Sequence, residues 1–122
     1  MKKTIALIFI LLPTYSFALD GNGLLMFCSA NQSTMEYSVC QGYVGAVLDN
    51  NYAAKESFNK LMPLEEQKLI PKENRNCIPD GIEINQARLI IIKWYQDHPE
   101  MLNIRATDNV IKALRSAFQC LR

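Results

Sequence analysis

Apolar residues in this chain recur three and four positions apart over most of its length, and no stretch alternates as a half-buried strand does. The pattern predicts helices. The first, over residues 23–30, is short; Leu24, Leu25, Phe27 and Cys28 supply its apolar face, and Asp20 or Asn22 can cap its free N–H groups. Asn31-Gln32-Ser33 reads as a turn. Ser33-Thr34-Met35-Glu36 then has the Ser-x-x-Glu form of a capping box, which announces a second helix. Along it Cys40, Tyr43, Val44, Val47 and Leu48 fall on one stripe. Gly42 and Gly45 each cost about 1 kcal/mol of helix propensity relative to Ala. Close approach of another helix, or of a partner chain, would offset that cost. Asn50-Asn51 either ends or bends this helix, or the helix runs on towards Asn59.

Residues 61–80 differ in character. Pro63, Pro71 and Pro79 interrupt a stretch dense in Glu, Lys and Asn, which rules against one continuous helix but allows a short turn of helix over residues 64–69. A long connection of this kind is either a binding loop or a solvated linker pinned at Cys77. A third helix is predicted from Ile84 to about Asp97, burying Ala87, Ile90, Ile91, Trp94 and Tyr95 with Arg88 and Lys93 outside. His98-Pro99 ends it, because a residue before proline is pushed out of the helical region. The fourth helix starts within residues 103–106 and reaches Cys120. Ala106, Val110, Ala113, Leu114, Ala117, Phe118 and Leu121 give it the cleanest amphipathic pattern of the four. The fold class is all-α: a small bundle of about four main helices arranged as two helical hairpins.

The N-terminus sets the compartment. Lys2 and Lys3 precede an apolar run over residues 4–12, and Ser16-Phe17-Ala18 places small residues at −3 and −1 of a cleavage point. This matches a secretory signal peptide cut after Ala18, and the run is too short before Pro13 to span a bilayer. The mature chain, residues 19–122, is then a single helical domain exported across the inner membrane to the periplasm. Without Lys2 and Lys3 the 13 basic residues fall to 11 against 12 acidic. Such a balance argues for neither nucleic acid nor a membrane surface as partner. Local surface must select the partner instead.

Cys28, Cys40, Cys77 and Cys120 all lie beyond the signal, so in an oxidising compartment they read as a disulfide framework. Four cysteines allow three connectivities. Cys28 and Cys40 are equidistant from residue 34, inside the first turn, while Cys77 and Cys120 are centred between His98 and Pro99. In an antiparallel helical hairpin such equidistant residues lie side by side, which favours pairing 28 with 40 and 77 with 120. Two buried thiols at 28 and 40 are the alternative.

Groups for catalysis are not assembled. His98 is the only histidine and precedes a proline at a helix end; no C-x2-C element, Gly-rich phosphate loop, nucleophile elbow or HExxH occurs. The sequence therefore points to no catalytic residue, no metal and no cofactor. Tyr37, Tyr43, Tyr52 and Trp94 could stack a sugar, but aromatics at helical spacing more often belong to a core.

Taken in order, the chain resembles the Tai/Rap-type immunity proteins of type VI secretion systems. The residues that carry the resemblance are Asp20-Gly21-Asn22-Gly23-Leu24-Leu25 before Cys28, and Cys40-Gln41-Gly42-Tyr43-Val44-Gly45. Cys77-Ile78-Pro79, Gln86, His98-Pro99-Glu100, Ala113-Leu114 and Ala117-Phe118 with Cys120 complete the set. The chain departs from the family at Phe118-Gln119-Cys120, where Phe-Pro-Cys is usual, and over residues 50–76, which match nothing in it.

The resemblance implies a small periplasmic protein, commonly a homodimer, that binds and blocks a peptidoglycan amidase delivered by the type VI apparatus. Immunity of this kind needs a rigid scaffold and a protrusion that fills the effector's groove. Two segments are candidates for it. One is the loop at residues 62–76, through Glu65, Glu66, Lys68, Lys72, Glu73, Asn74 and Arg75; the other is the turn carrying His98 and Glu100. Two other readings are a saposin-like lipid-binding protein and a periplasmic inhibitor of a lysozyme-type glycosidase. The missing basic surplus weighs against the saposin-like one.

Overall fold

The computed structural model describes residues 18–120. Lys2, Lys3, the apolar run and Leu121 lie outside the described residues. Five α-helices are present among those described: α1 (Gly21–Cys28), α2 (Met35–Leu61), α3 (Leu64–Lys68), α4 (Ile84–Asp97) and α5 (Ala106–Ala117). Two 3-10 turns, Lys72–Asn74 and Pro99–Met101, lie in the connections. No strand occurs among the described residues beyond one isolated backbone bridge, Asp20 to Arg105.

The two hairpins form as the cysteine spacing predicts. Cys28–Cys40 staples α1 to α2, with Cα atoms 5.0 Å apart, and Cys77–Cys120 joins the chain ahead of α4 to the chain beyond α5, at 5.2 Å. Neither pair is left as free thiols. Four of the helices, α1, α2, α4 and α5, meet on one core of Leu24, Cys28, Cys40, Val44, Val47, Ile78, Ala87, Ile91, Tyr95, Ala106, Val110, Ala113 and Leu114. Each large apolar side chain buried this way contributes roughly 1.5–3 kcal/mol.

Local chemistry sets the helix ends. The Asp20 carboxylate accepts from Gly23 N–H at 2.9 Å and caps α1. Asn22 instead turns outward from this role and donates to the Leu102 carbonyl at 3.1 Å. The Gly21 and Asn22 amides, which no helical carbonyl can reach, donate to Ile104 and Leu102 (both 3.0 Å), so the second hairpin's turn satisfies the first helix's orphan donors. At α2 the cap is Thr34 rather than Ser33: its hydroxyl accepts from Tyr37 N–H at 3.3 Å. Met62 and His98 each precede a proline and leave the helical region there, ending α2 and α4.

Three expectations need correction. The fourth helix stops at Ala117, so Cys120 lies beyond it in non-helical chain, and Ala117 faces solvent. Arg88 is not a purely solvent-facing residue: it lies over the Tyr37 ring at 5.2 Å and donates to the Cys28 carbonyl at 2.8 Å, tying α4 to the first hairpin. The two glycines of α2 also part company. A Cβ on Gly45 would sit 3.2 Å from Ile84 Cδ1 at the start of α4, whereas one on Gly42 would meet nothing within 4 Å.

Candidate functional site

The lengths of the helices create the site. α1 has 8 residues and α2 has 27, so α2 outruns its hairpin partner by several turns. Its buried residues, Cys40, Val44 and Val47, all lie in the first half. Beyond them α2 projects from the bundle without burying a side chain fully. Helix formers such as Ala53, Ala54 and Lys55, together with the Glu56–Lys60 ion pair at 2.8 Å, sustain it there. Asn50-Asn51 does not interrupt it.

After Met62 the chain folds back along this overhang. Gln67 Nε2 donates to the Met62 carbonyl at 2.8 Å, and Arg75 donates to the carbonyls of Ile70 and Lys68, both at 2.9 Å. The returning chain is then clamped to α2. Asn76 Nδ2 donates to Asn51 Oδ1 at 2.6 Å, and Lys55 Nζ reaches the Ile78 carbonyl (3.0 Å) and Asp80 (2.7 Å). Ile78 is buried and Cys77 is bonded to Cys120, so the segment is anchored at its foot while α3 stands off at its tip.

Between α2, α3 and the returning chain lies a groove of about 590 Å3. Phe58, Leu64 and Ile70 form its apolar lining, and Arg115 of α5 closes one side. Several large apolar side chains near it are exposed: Phe58 by 39%, Leu64 by 73%, Leu61 by 85% and Leu69 by 82%. Lys55, Lys68, Arg75 and Arg115 line the groove, and no carboxylate among the described residues does. Lys68 is drawn towards Glu65 at 2.8 Å. Among the described residues no cluster of three or more His, Cys, Asp or Glu gathers, and no helix is long and apolar enough to cross a membrane.

The structure brings together only some of the residues singled out from the sequence. Lys68, Asn74 and Arg75 line the groove. Glu65, Glu66, Lys72 and Glu73 are exposed on the same segment without lining it. His98 and Glu100 sit at the turn of the α4–α5 hairpin, whose other end is closed by Cys77–Cys120; the 14 residues of α4 separate the two places by about 20 Å. His98 there has a structural part. Its ring stacks on Trp94 with centroids 4.6 Å apart, and Nδ1 donates to the Trp94 carbonyl at 2.9 Å. Sequence reasoning missed Ala54, Lys55, Phe58, Asn59 and Arg115. The signal for Phe58 was its spacing of four from Ala54, and that spacing means something only once the helix is known to continue.

A family model for Rap1a immunity proteins matches residues 20–120. No curated protein and no solved structure matches the chain. The matched span takes in both hairpins, all four cysteines and the projecting segment between them. The chain thus belongs to the Rap1a immunity protein family, whose members are immunity proteins against a secreted effector.

Proposed function

We propose that this protein protects its producing cell by occluding a peptidoglycan amidase delivered by a type VI secretion system. Family membership and two disulfides agree with a protein that works outside the reducing cytosol. In this reading the chain is exported, cut after Ala18, and acts in the periplasm as residues 19–122. It acts by binding, not by catalysis. The observation that carries the reading is the projecting half of α2 with residues 62–76 folded along it. This protrusion stands clear of the core and is held rigid at its foot by Cys77–Cys120 and the Asn76–Asn51 bond. A preorganised protrusion loses little entropy on docking into a cleft.

The test is an inhibition titration against a peptidoglycan amidase encoded beside this gene. Replacing residues 62–76 by a Gly/Ser linker is expected to weaken inhibition by about 100-fold or more, as loss of a central anchor does. Glu100→Lys at the far turn is expected to change it less than about 3-fold. Undiminished inhibition by the linker variant sinks the assignment of the protrusion, and no inhibition by the intact protein sinks the amidase reading.

A homodimer is the second part of the proposal. Gly42 faces open space on α2, beside Val39, which is 42% exposed, so a second copy can pack closely there. Light scattering on the mature protein should give twice the monomer mass. Gly42→Glu should halve it without lowering the helical content. If Gly42→Glu stays dimeric, the contact lies elsewhere.

A further inference from the structure

The protrusion also carries a charge signature that its family membership does not supply. Among the described residues the groove lining holds four cationic side chains, Lys55, Lys68, Arg75 and Arg115, against no carboxylate, although the mature chain has slightly more acidic than basic residues. The positive charge is therefore concentrated locally. Lys55 and Lys68 have acidic neighbours, Asp80 and Glu65, which lie outside the lining. No carboxylate among the described residues pairs with Arg75 or Arg115. Arg75 is held in place by two backbone carbonyls, so its charge is presented at low entropic cost.

Beside these cations Phe58, Leu64 and Ile70 make an apolar part of the lining, and the volume of about 590 Å3 lies in the ordinary range for a site that buries a compact group. From this combination we infer that the groove receives a segment of the effector in which an apolar anchor side chain is flanked by carboxylates. The inference rests on the reading of this protrusion as the effector-binding element and names the chemistry of what enters it. An apolar side chain gains by leaving water for contact with Phe58, Leu64 and Ile70. Flanking carboxylates would meet guanidinium groups, which can bind them in bidentate fashion. A basic segment would be repelled on the same surface, so the cations confer selectivity more than bulk affinity.

The probe is a fluorescein-labelled peptide, Asp-Glu-Leu-Phe-Asp-Glu, titrated into the oxidised mature protein and followed by anisotropy and by amide chemical shifts. Two further peptides serve as comparisons: one with every acid changed to lysine, and one with Leu-Phe changed to Ser-Ser. The acidic–apolar peptide should bind one to one and move the amides around Phe58, Leu64 and Ile70. Either comparison peptide should bind at least about 10-fold more weakly, and the affinity should fall as salt rises. Arg115→Glu and Lys68→Glu, both exposed and outside the core, should each weaken binding by about 10-fold and bring the lysine peptide up. Equal binding of the acidic and basic peptides overturns the inference, as do shifts confined to another face or none at about 1 mM peptide. Capture by phosphatidylglycerol vesicles that Arg115→Glu abolishes, without peptide binding, overturns it in favour of a lipid partner. Amidase inhibition by a protein that ignores the peptide removes this inference alone. Peptide binding without amidase inhibition removes the amidase assignment alone.

Discussion

Replacing Cys77 and Cys120 together by serine is expected to lower the stability of the oxidised chain by about 4 kcal/mol. The bond spans 43 residues, and removing it frees the unfolded chain to explore a long open loop. The Cys28–Cys40 bond spans 12, for which the same chain-entropy account gives about 3 kcal/mol. A loss of about 4 kcal/mol is a large share of the roughly 5–15 kcal/mol that holds a folded domain together. The effect is also local. Cys77 lines the groove, and without its bond the foot of the protrusion rests on buried Ile78, the Asn76–Asn51 and Lys55–Ile78 hydrogen bonds and the partly exposed Lys55–Asp80 pair, the last worth about 1 kcal/mol. Urea unfolding of wild type and Cys77→Ser/Cys120→Ser, followed by circular dichroism, reads the difference. A loss below about 1 kcal/mol would show that the bond is not the main restraint on this loop.

Tyr95→Ala is expected to cost about 3–5 kcal/mol, the usual range for removing a buried aromatic ring. Tyr95 is 1% exposed, and its ring fills the joint where α1 meets the second hairpin. A Cβ on Gly21 would lie 2.7 Å from Tyr95 Cε1 and 2.9 Å from the Leu102 backbone. The backbone cannot give way as a flexible side chain can, so Gly21→Ala alone should cost about 1–3 kcal/mol. In the Tyr95→Ala background part of that clash is gone, and the two costs should add to less than their sum. Alkaline pH provides a separate check. Burial pushes the Tyr95 phenol above its ordinary value, against a lowering by the Asn109 side chain, with Tyr43 and Asp20 raising it further. Past about pH 10 the unfolded phenol therefore loses its proton before the folded one does. The folded state then binds more protons than the unfolded state, so stability falls as pH rises through the folded value. Tyr95→Phe should remove that share of the alkaline loss, and denaturation midpoints at about pH 8 and pH 11 will show whether it does.

Much of the frame was legible because it depends on local spacing. The stripe on α5 predicted burial of Ala106, Val110, Ala113 and Leu114, and the stripe on α4 predicted Ala87, Ile91 and Tyr95. Proline placed the ends of α2 and α4. Equidistance from two turns paired the cysteines, even though Cys77 and Cys120 both lie outside their helices. The reading was weakest between residues 50 and 76. There the apolar residues are few and scattered, and no local rule distinguishes a helix that ends at Asn51 from one that continues into solvent.

The residues alone thus pointed to the helical class, to two stapled hairpins and to the family, through periodicity, turn chemistry and the order of motifs along the chain. Three-dimensional packing settled the rest. It extended α2 beyond its short partner, folded residues 62–76 back along the overhang, and brought Arg115 of α5 to the side of Phe58 and Arg75. It also set the His98 ring in a stack on Trp94 at the α4–α5 turn. The physical reason is one of range. Helix faces and caps are decided within a few residues, whereas a groove is made by side chains distant in sequence whose proximity depends on how far each helix outruns its neighbour.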